Sequence, residues 1–127
     1  MNLGILKRIL IIDDDLDLLM LLERRLLGEG YLIETAASLP EAEDILPDYN
    51  PHLLLLDINL KGSDGRTLSY RLKNEQPDVK VLILTGYDYN IGRAKLFGAD
   101  DIIPKPLNMD YLLHRIESML FQNSFSD

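Results

Sequence analysis

Two kinds of segment alternate along this chain: short continuous apolar runs, and longer segments whose apolar residues recur every three or four positions. Continuous apolar runs occupy residues 9–12 and 53–56, and aspartate follows each of them directly. A short apolar run suits a strand buried on both faces of a sheet, whereas the longer period suits a helix that packs on one side. Regular alternation of the two predicts βα units and a parallel sheet.

The pattern predicts an α/β fold with five strands and five helices. The predicted strands are residues 9–12, 31–36, 53–56, 79–84 and 101–103. The predicted helices are residues 16–27, 39–46, 65–74, 89–97 and 108–121. Five βα units make a doubly wound sheet, in which ligands bind at the carboxyl ends of the strands. Chemistry is therefore expected at that edge of the sheet.

Individual residues set some of these limits. Leu19, Leu22 and Leu26 share one face of the first predicted helix, which predicts that they are buried. Pro47 is expected to end the second helix, because proline lacks the amide hydrogen that a helix interior needs. Asp64 is a suitable N-cap for the third helix.

Composition limits the classes of function. The 127 residues fit one domain, which we assign to residues 1–121, leaving residues 122–127 as a flexible tail or the start of a linker. A net charge of −8 opposes direct binding to nucleic acid or to anionic membranes. Cysteine is absent, and no apolar run approaches the ~20 residues of a membrane helix. A soluble cytoplasmic domain is expected.

Four predicted strands end in polar side chains. The first leads into the aspartates of residues 13–15, and the third leads into Asp57 with Asn59 two positions on. Thr85 ends the fourth strand, and Lys105 follows the fifth. Carboxylates that cluster at one edge repel one another unless a hard divalent cation such as Mg²⁺ neutralises them. Together these residues predict a site that handles a phosphoryl group.

Each element of this set has a plainer explanation when taken alone. Residues 13–15 could cap the first helix, Asp57 could be a turn residue, and Lys105 could be a surface lysine. The prediction rests on their joint placement at the strand ends of one fold.

Four segments resemble the receiver domains of response regulators in two-component signalling. They are ILIIDDD at 9–15, LLLLDINLKGSDG at 53–65, VLILTG at 81–86 and GADDIIPKP at 98–106. The resemblance spans nearly the whole chain. It implies a flavodoxin-like parallel sheet of strand order 2-1-3-4-5, flanked by five helices.

The resemblance also implies roles for individual residues. Asp57 falls on the phosphoacceptor, which takes a phosphoryl group from a histidine kinase phosphohistidine. Asp14 falls on a direct Mg²⁺ ligand and Asp13 on a residue that acts on the metal mainly through water. Asn59 falls on the position whose backbone carbonyl reaches the metal. The implied metal set is therefore Asp13, Asp14, Asp57 and Asn59.

Two further positions complete the implied site. Thr85 falls on the hydroxyl that turns toward the phosphoryl group, and Lys105 on the lysine that pairs with it, in a cis peptide bond with Pro106. The implied protein is a signalling phosphoacceptor rather than an enzyme with turnover, although it catalyses its own phosphorylation and slow dephosphorylation. The implied partners are a sensor histidine kinase or phosphotransfer protein and a downstream output domain or protein. A homodimer is left open.

Three positions depart from the family pattern and are expected to modulate it. Ile102 stands where an aromatic residue usually swings as Thr85 moves, so the output is expected to rest on the loop and the predicted helix at 89–97 instead. Lys61 replaces a common proline in the loop after the phosphoacceptor. Tyr87 is bulky enough to shield the phosphoryl group from water, which predicts slow autodephosphorylation.

Three alternatives are weighed against an active receiver. A phosphatase with an aspartate nucleophile would need a second acid where Asn59 stands. A nucleotide or flavin binder would need a glycine-rich loop after the first strand, where this chain has DDDLD. A degenerate receiver that binds partners without phosphorylation ranks above these two and below an active receiver.

Overall fold

The computed structural model describes residues 6–86 and 98–121. Five strands form one parallel sheet, and numbering only these strands gives the order β2-β1-β3-β4-β5, as predicted. They are β1 (Arg8–Ile12), β2 (Leu32–Ala36), β3 (Leu53–Asp57), β4 (Lys80–Thr85) and β5 (Asp101–Pro104). A separate antiparallel hairpin joins two short strands, Asn59–Leu60 and Ser63–Asp64.

Four helices lie in the described part of the chain. They are α1 (Leu16–Gly28), α2 (Leu39–Tyr49), α3 (Gly65–Glu75) and α4 (Met109–Phe121). The predicted helix at residues 89–97 lies outside the described residues, so the fifth helix stays a prediction. Within residues 6–86 and 98–121, no helix is long and apolar enough to cross a membrane.

The sheet separates two apolar layers. Side chains of β1 and β3 alternate between the layers, so the four leucines of residues 53–56 are all fully buried. One layer packs against α2 and α3, and the other packs against α1 and α4. The predicted face of α1 is confirmed, since Leu19, Leu22 and Leu26 belong to the second layer. Burial on both faces explains why these strands read as continuous apolar runs.

The prediction that Pro47 ends the second helix is wrong, because α2 continues through it to Tyr49. The phenol oxygen of Tyr49 lies 3.1 Å from the carbonyl oxygen of Ile9 and 2.8 Å from that of Leu32. These contacts anchor the last turn to the sheet and offset the one helical hydrogen bond that proline cannot donate. Asn50 is the C-cap of the helix, and its φ of 49° is left-handed.

Strand register brings the carboxyl ends of the central strands together. Ile12 is aligned with Leu56, so the residues that follow them, Asp13 and Asp57, lie at the same level of the sheet. On the other side, Asp57 is aligned with Leu84, the residue before Thr85. The edge at which ligands bind in doubly wound sheets therefore carries the polar residues singled out in the sequence.

Candidate functional site

Three carboxylates meet at the carboxyl edge of β1 and β3. Asp13, Asp14 and Asp57 each offer an oxygen within 4.8 Å of the others. Asp13 is fully buried and Asp57 is 4% exposed, while Asp14 is half-buried. Three negative charges in so little water need a cation, because their mutual repulsion is poorly screened there.

Lys105 supplies one positive charge from the loop after β5. Its Nζ donates to Oδ2 of Asp13 at 2.7 Å and to Oδ2 of Asp57 at 3.3 Å. The Lys105–Pro106 peptide bond is cis, as the family resemblance implied. One ammonium group thus bridges two of the three carboxylates.

Burial raises the pKa of Asp13, because the carboxylate loses hydration inside the protein. The hydrogen bond from Lys105 opposes this rise without cancelling it, and the charge of Asp57 adds to it. For Lys105, burial disfavours the ammonium form, but the hydrogen bond to Asp13 and the charges of both carboxylates outweigh burial and raise its pKa. The lysine is therefore held in its charged form between the two aspartates.

Backbone amides orient all three carboxylates. The amide of Asp15 donates to Oδ1 of Asp13, and the amide of Asn59 donates to Oδ1 of Asp57, each at 2.9 Å. The amide of Lys61 donates to Oδ2 of Asp14, also at 2.9 Å. These amide donors fix the direction of each carboxylate.

The hydroxyl of Thr85, at the end of β4, is linked to Asn59. Thr85 is 1% exposed, and its Oγ1 accepts a hydrogen bond of 3.2 Å from the side-chain amide of Asn59. The structure therefore connects Asn59 to the site in two ways, through its backbone to Asp57 and through its side chain to Thr85.

The modulating positions are placed as follows. Ile102 lies in β5, aligned with Ile83, and its side chain is 6% exposed within the layer that faces α2 and α3. Lys61 lies at the tip of the hairpin after β3, where its side chain is exposed. Tyr87 lies outside the described residues, so its effect on hydrolysis stays a prediction.

Sequence reasoning assigned no role to Gly65. Gly65 begins α3 and lies against the end of β3. A Cβ built on it would lie 3.0 Å from the carbonyl oxygen of Asp57 and 3.1 Å from both Cα of Ile58 and a methyl of Leu56. Only glycine allows this close approach without a backbone shift. The signal available in the sequence was an isolated glycine just after the N-cap Asp64.

The donor chemistry of the cluster fits Mg²⁺. That ion prefers carboxylate oxygen, binds through one or two carboxylates, and keeps several waters. Asp14 is half-buried and hydrogen-bonded through one oxygen, and Asp57 has an oxygen in the same cluster. The residues that could hold the ion are therefore Asp13, Asp14 and Asp57, and the predicted contribution of the Asn59 carbonyl stays a prediction.

Comparison with known proteins agrees with this architecture. A family model described as the response regulator receiver domain matches residues 9–117. Response regulator MprA of Mycobacterium sp. (strain KMS) is 34% identical over 119 residues, which cover 92% of this chain and 52% of that protein. The chain spans about half the length of the curated relatives it matches.

Solved structures with the same fold include two of similar length. A response regulator receiver domain protein (CheY-like) from Methanospirillum hungatei JF-1 has a TM-score of 0.86 and 32% identity, covering 97% of this chain and 100% of that chain. Response regulator TrrA from Thermotoga maritima, solved in complex with Mg²⁺ and BeF, has a TM-score of 0.81 and 31% identity. That match covers 91% of this chain and 100% of the TrrA chain.

Proposed function

The chain belongs to the response regulator receiver domain family, and from this premise we propose that it accepts a phosphoryl group on Asp57, with Mg²⁺ bound beside it. The observation that carries the proposal is the bridge from Lys105 to Asp13 and Asp57. These two aspartates and Asp14 each offer an oxygen within 4.8 Å of the others. A lysine and a carboxylate cluster at the strand ends provide the charges that phosphoryl transfer needs.

The proposed reaction is an in-line displacement at phosphorus. A carboxylate oxygen of Asp57 forms a bond to phosphorus while the bond to the donor nitrogen of a phosphohistidine breaks. The histidine imidazole leaves with the electron pair and takes up a proton. When bound, Mg²⁺ supplies Lewis-acid stabilisation of the phosphoryl oxygens.

The residues of this chain position and neutralise the reacting group. Asp13 and Asp14 hold the ion, and the Asn59 amide fixes the direction of the Asp57 carboxylate. Lys105 transfers its second hydrogen bond from Asp57 to a phosphoryl oxygen, so it compensates the charge that arrives. Water then attacks phosphorus, the bond from phosphorus to the Asp57 oxygen breaks, and inorganic phosphate leaves. This hydrolysis regenerates the Asp57 carboxylate, which makes the protein a self-dephosphorylating phosphoacceptor.

Phosphorylation is proposed to change the charge at Asp57 and thereby to alter a binding surface away from it. The phosphoryl group draws the Thr85 hydroxyl away from Asn59, and this movement biases a partner-binding surface on the side of β4 and β5. A sensor histidine kinase or phosphotransfer protein is the proposed donor. An output domain or protein is the proposed recipient of the signal, in keeping with relatives that are about twice as long as this chain.

The test is the intact mass of the full chain after incubation with acetyl phosphate, with and without Mg²⁺. Asp57→Asn removes the nucleophile, and Asp110→Asn is the matched control, because Asp110 is an exposed aspartate at the start of α4. We expect one added phosphoryl group on the wild type and on the control, only when Mg²⁺ is present.

Absence of an adduct from the wild type, with phosphohistidine donors as well as acetyl phosphate, would contradict the proposal. That result would instead favour a degenerate receiver that binds partners without phosphorylation. An adduct that persists in Asp57→Asn would place the modification on another residue.

A further inference from the structure

A backbone hydrogen bond ties the metal cluster to the hairpin after β3. The amide of Lys61 donates to Oδ2 of Asp14 at 2.9 Å, although the two residues are 47 positions apart in the chain. Asp14 follows β1 and Lys61 follows β3, so this bond crosses between two strand ends. It belongs to the backbone of Lys61, whose side chain points into solvent and plays no part in it.

The position of Lys61 in its turn explains why its amide is available. Leu60 and Ser63 are paired across the hairpin, so Lys61 and Gly62 are the two central residues of the turn. Gly62 has a φ of +72°, which is the geometry of the second central residue in a type II turn. The first central residue of such a turn keeps its amide outside the turn's own hydrogen bond, and proline is favoured there.

Proline at this position would fit the turn but would have no hydrogen to donate. Lysine in this chain therefore keeps an amide donor that proline would remove, and the structure directs that donor at a carboxylate of the proposed metal site.

The hydrogen bond leaves Asp14 able to bind a cation. A carboxylate offers about four lone-pair sites, so one amide donor occupies a small part of its acceptor capacity. The donor restricts the rotation of the Asp14 side chain, which is only half-buried. One oxygen of that side chain belongs to the cluster with Asp13 and Asp57. Hydrogen-bond partners of ligating groups typically change metal affinity by about 10–100-fold.

We propose that Lys61 is a positioning residue for the divalent cation, acting through its backbone amide to hold Asp14 in the orientation that binds the ion. This inference rests on the proposed function, since it deepens the account of the same metal site. It assigns to Lys61 a role that its exposed, charged side chain would not suggest.

The test compares Lys61→Pro with Lys61→Ala in a Mg²⁺ titration of the full chain, followed by ¹H–¹⁵N NMR. Both variants lose the lysine charge, but only proline loses the amide hydrogen. We expect Lys61→Pro to raise the dissociation constant for Mg²⁺ about tenfold, the low end of the range for such partners because the bond is exposed to solvent. Lys61→Ala should stay close to the wild-type constant.

Greater flexibility of the hairpin cannot explain a loss of Mg²⁺ affinity in Lys61→Pro. Proline at a compatible turn position restricts the chain rather than freeing it. Equal dissociation constants for the two variants would overturn the inference while leaving the proposed phosphorylation intact. A wild type that binds no Mg²⁺ at all would overturn both. Should Lys61→Pro fail to fold, the amide proton of Lys61 is followed in Asp14→Ala, where an unchanged chemical shift would overturn the inference.

Discussion

The side-chain amide of Asn59 donates a hydrogen bond of 3.2 Å to the hydroxyl of Thr85. This contact joins the loop after β3 to the end of β4 in the form of the protein that carries no phosphoryl group. If Thr85 turns toward a phosphoryl group on Asp57, its hydroxyl must leave Asn59. The contact therefore stabilises the resting arrangement.

Asn59→Ala is expected to shift the protein toward the arrangement in which Thr85 faces the phosphoryl site. A single net hydrogen bond contributes about 0.5–1.5 kcal/mol, which corresponds to a shift of about two- to twelvefold. The measurement is the apparent affinity for beryllofluoride with Mg²⁺, a phosphoryl mimic, which should tighten by that factor.

The control for this prediction is a double-mutant cycle with Thr85→Ala. Once the hydroxyl is gone, Asn59→Ala should produce no further change in beryllofluoride affinity. An effect of the same size in both backgrounds would mean that Asn59 acts on the site by another route.

Lys105→Met is expected to lower the free energy of unfolding by about 3–5 kcal/mol. The substitution leaves the buried carboxylates of Asp13 and Asp57 without their ammonium partner. Lys80→Met is the matched control, since Lys80 is an exposed lysine at the start of β4. Urea denaturation of both variants checks this, and equal losses would show that the bridge contributes nothing to stability.

Gly65→Ala is expected to destabilise the protein by about 1–3 kcal/mol. The new methyl group would press on the backbone of Asp57 and Ile58, which cannot move aside as a flexible side chain could. Gly28→Ala is the control, because nothing lies within 4 Å of a Cβ built there. Thermal unfolding of the two variants gives the comparison, and a Gly65→Ala melting temperature equal to that of the control would contradict the close approach.

His52 is expected to make the protein less stable as pH falls. Burial, together with the charges of Arg8 and Lys7, lowers the pKa of His52, and its Nδ1 accepts a hydrogen bond of 2.9 Å from the amide of Arg8. The folded state therefore favours the neutral ring. Its contribution to stability is present above the ordinary pKa of about 6.5 and is lost as pH falls through the lowered value.

The measurement for His52 is the urea midpoint of the wild type, His52→Gln and His114→Gln. It is made from about pH 7.5 to about pH 5, a range that includes the ordinary histidine pKa. His114 is exposed on α4, so its loss should leave the wild-type profile unchanged. His52→Gln should flatten the decline at low pH. If the urea midpoint of all three proteins changed with pH in the same way, protonation of His52 would not contribute to the loss of stability.

The strands and the strand-end residues could be predicted because both signals are local. A buried parallel strand needs a continuous apolar run, and the polar residue after each run marks the edge where the strands end. Since parallel strands align their carboxyl ends, Asp13, Asp57, Thr85 and Lys105 could be placed together before any distance was known.

The features that sequence reasoning missed depend on contacts between distant segments. The extension of α2 past Pro47 rests on the Tyr49 hydroxyl reaching carbonyl oxygens of β1 and β2. The hydrogen bond from the amide of Lys61 could not be predicted from residue types, because every residue except proline carries an amide hydrogen. The close approach at Gly65 depends on a backbone distance that composition does not encode.

Charged pairs around β5 were also missed. Asp101, at the start of β5, accepts from Nε of Arg115 in α4 at 2.7 Å, and it is 8% exposed. Lys73 in α3 donates to Asp100 at 3.0 Å and to the carbonyl oxygen of Val79 at 2.8 Å. In the sequence each of these residues resembles an ordinary surface charge, and only the fold brings the partners together.

Whether Asp57 itself carries the phosphoryl group is tested most directly by trapping the acyl phosphate with hydroxylamine. Hydroxylamine attacks the carbonyl carbon of a phospho-aspartate, phosphate leaves, and a stable hydroxamate marks the residue. After treatment with acetyl phosphate and Mg²⁺, peptide mass spectrometry should find the hydroxamate at residue 57 and nowhere else. A hydroxamate at another aspartate, or none on a chain that has gained a phosphoryl group, would contradict Asp57 as the phosphoacceptor.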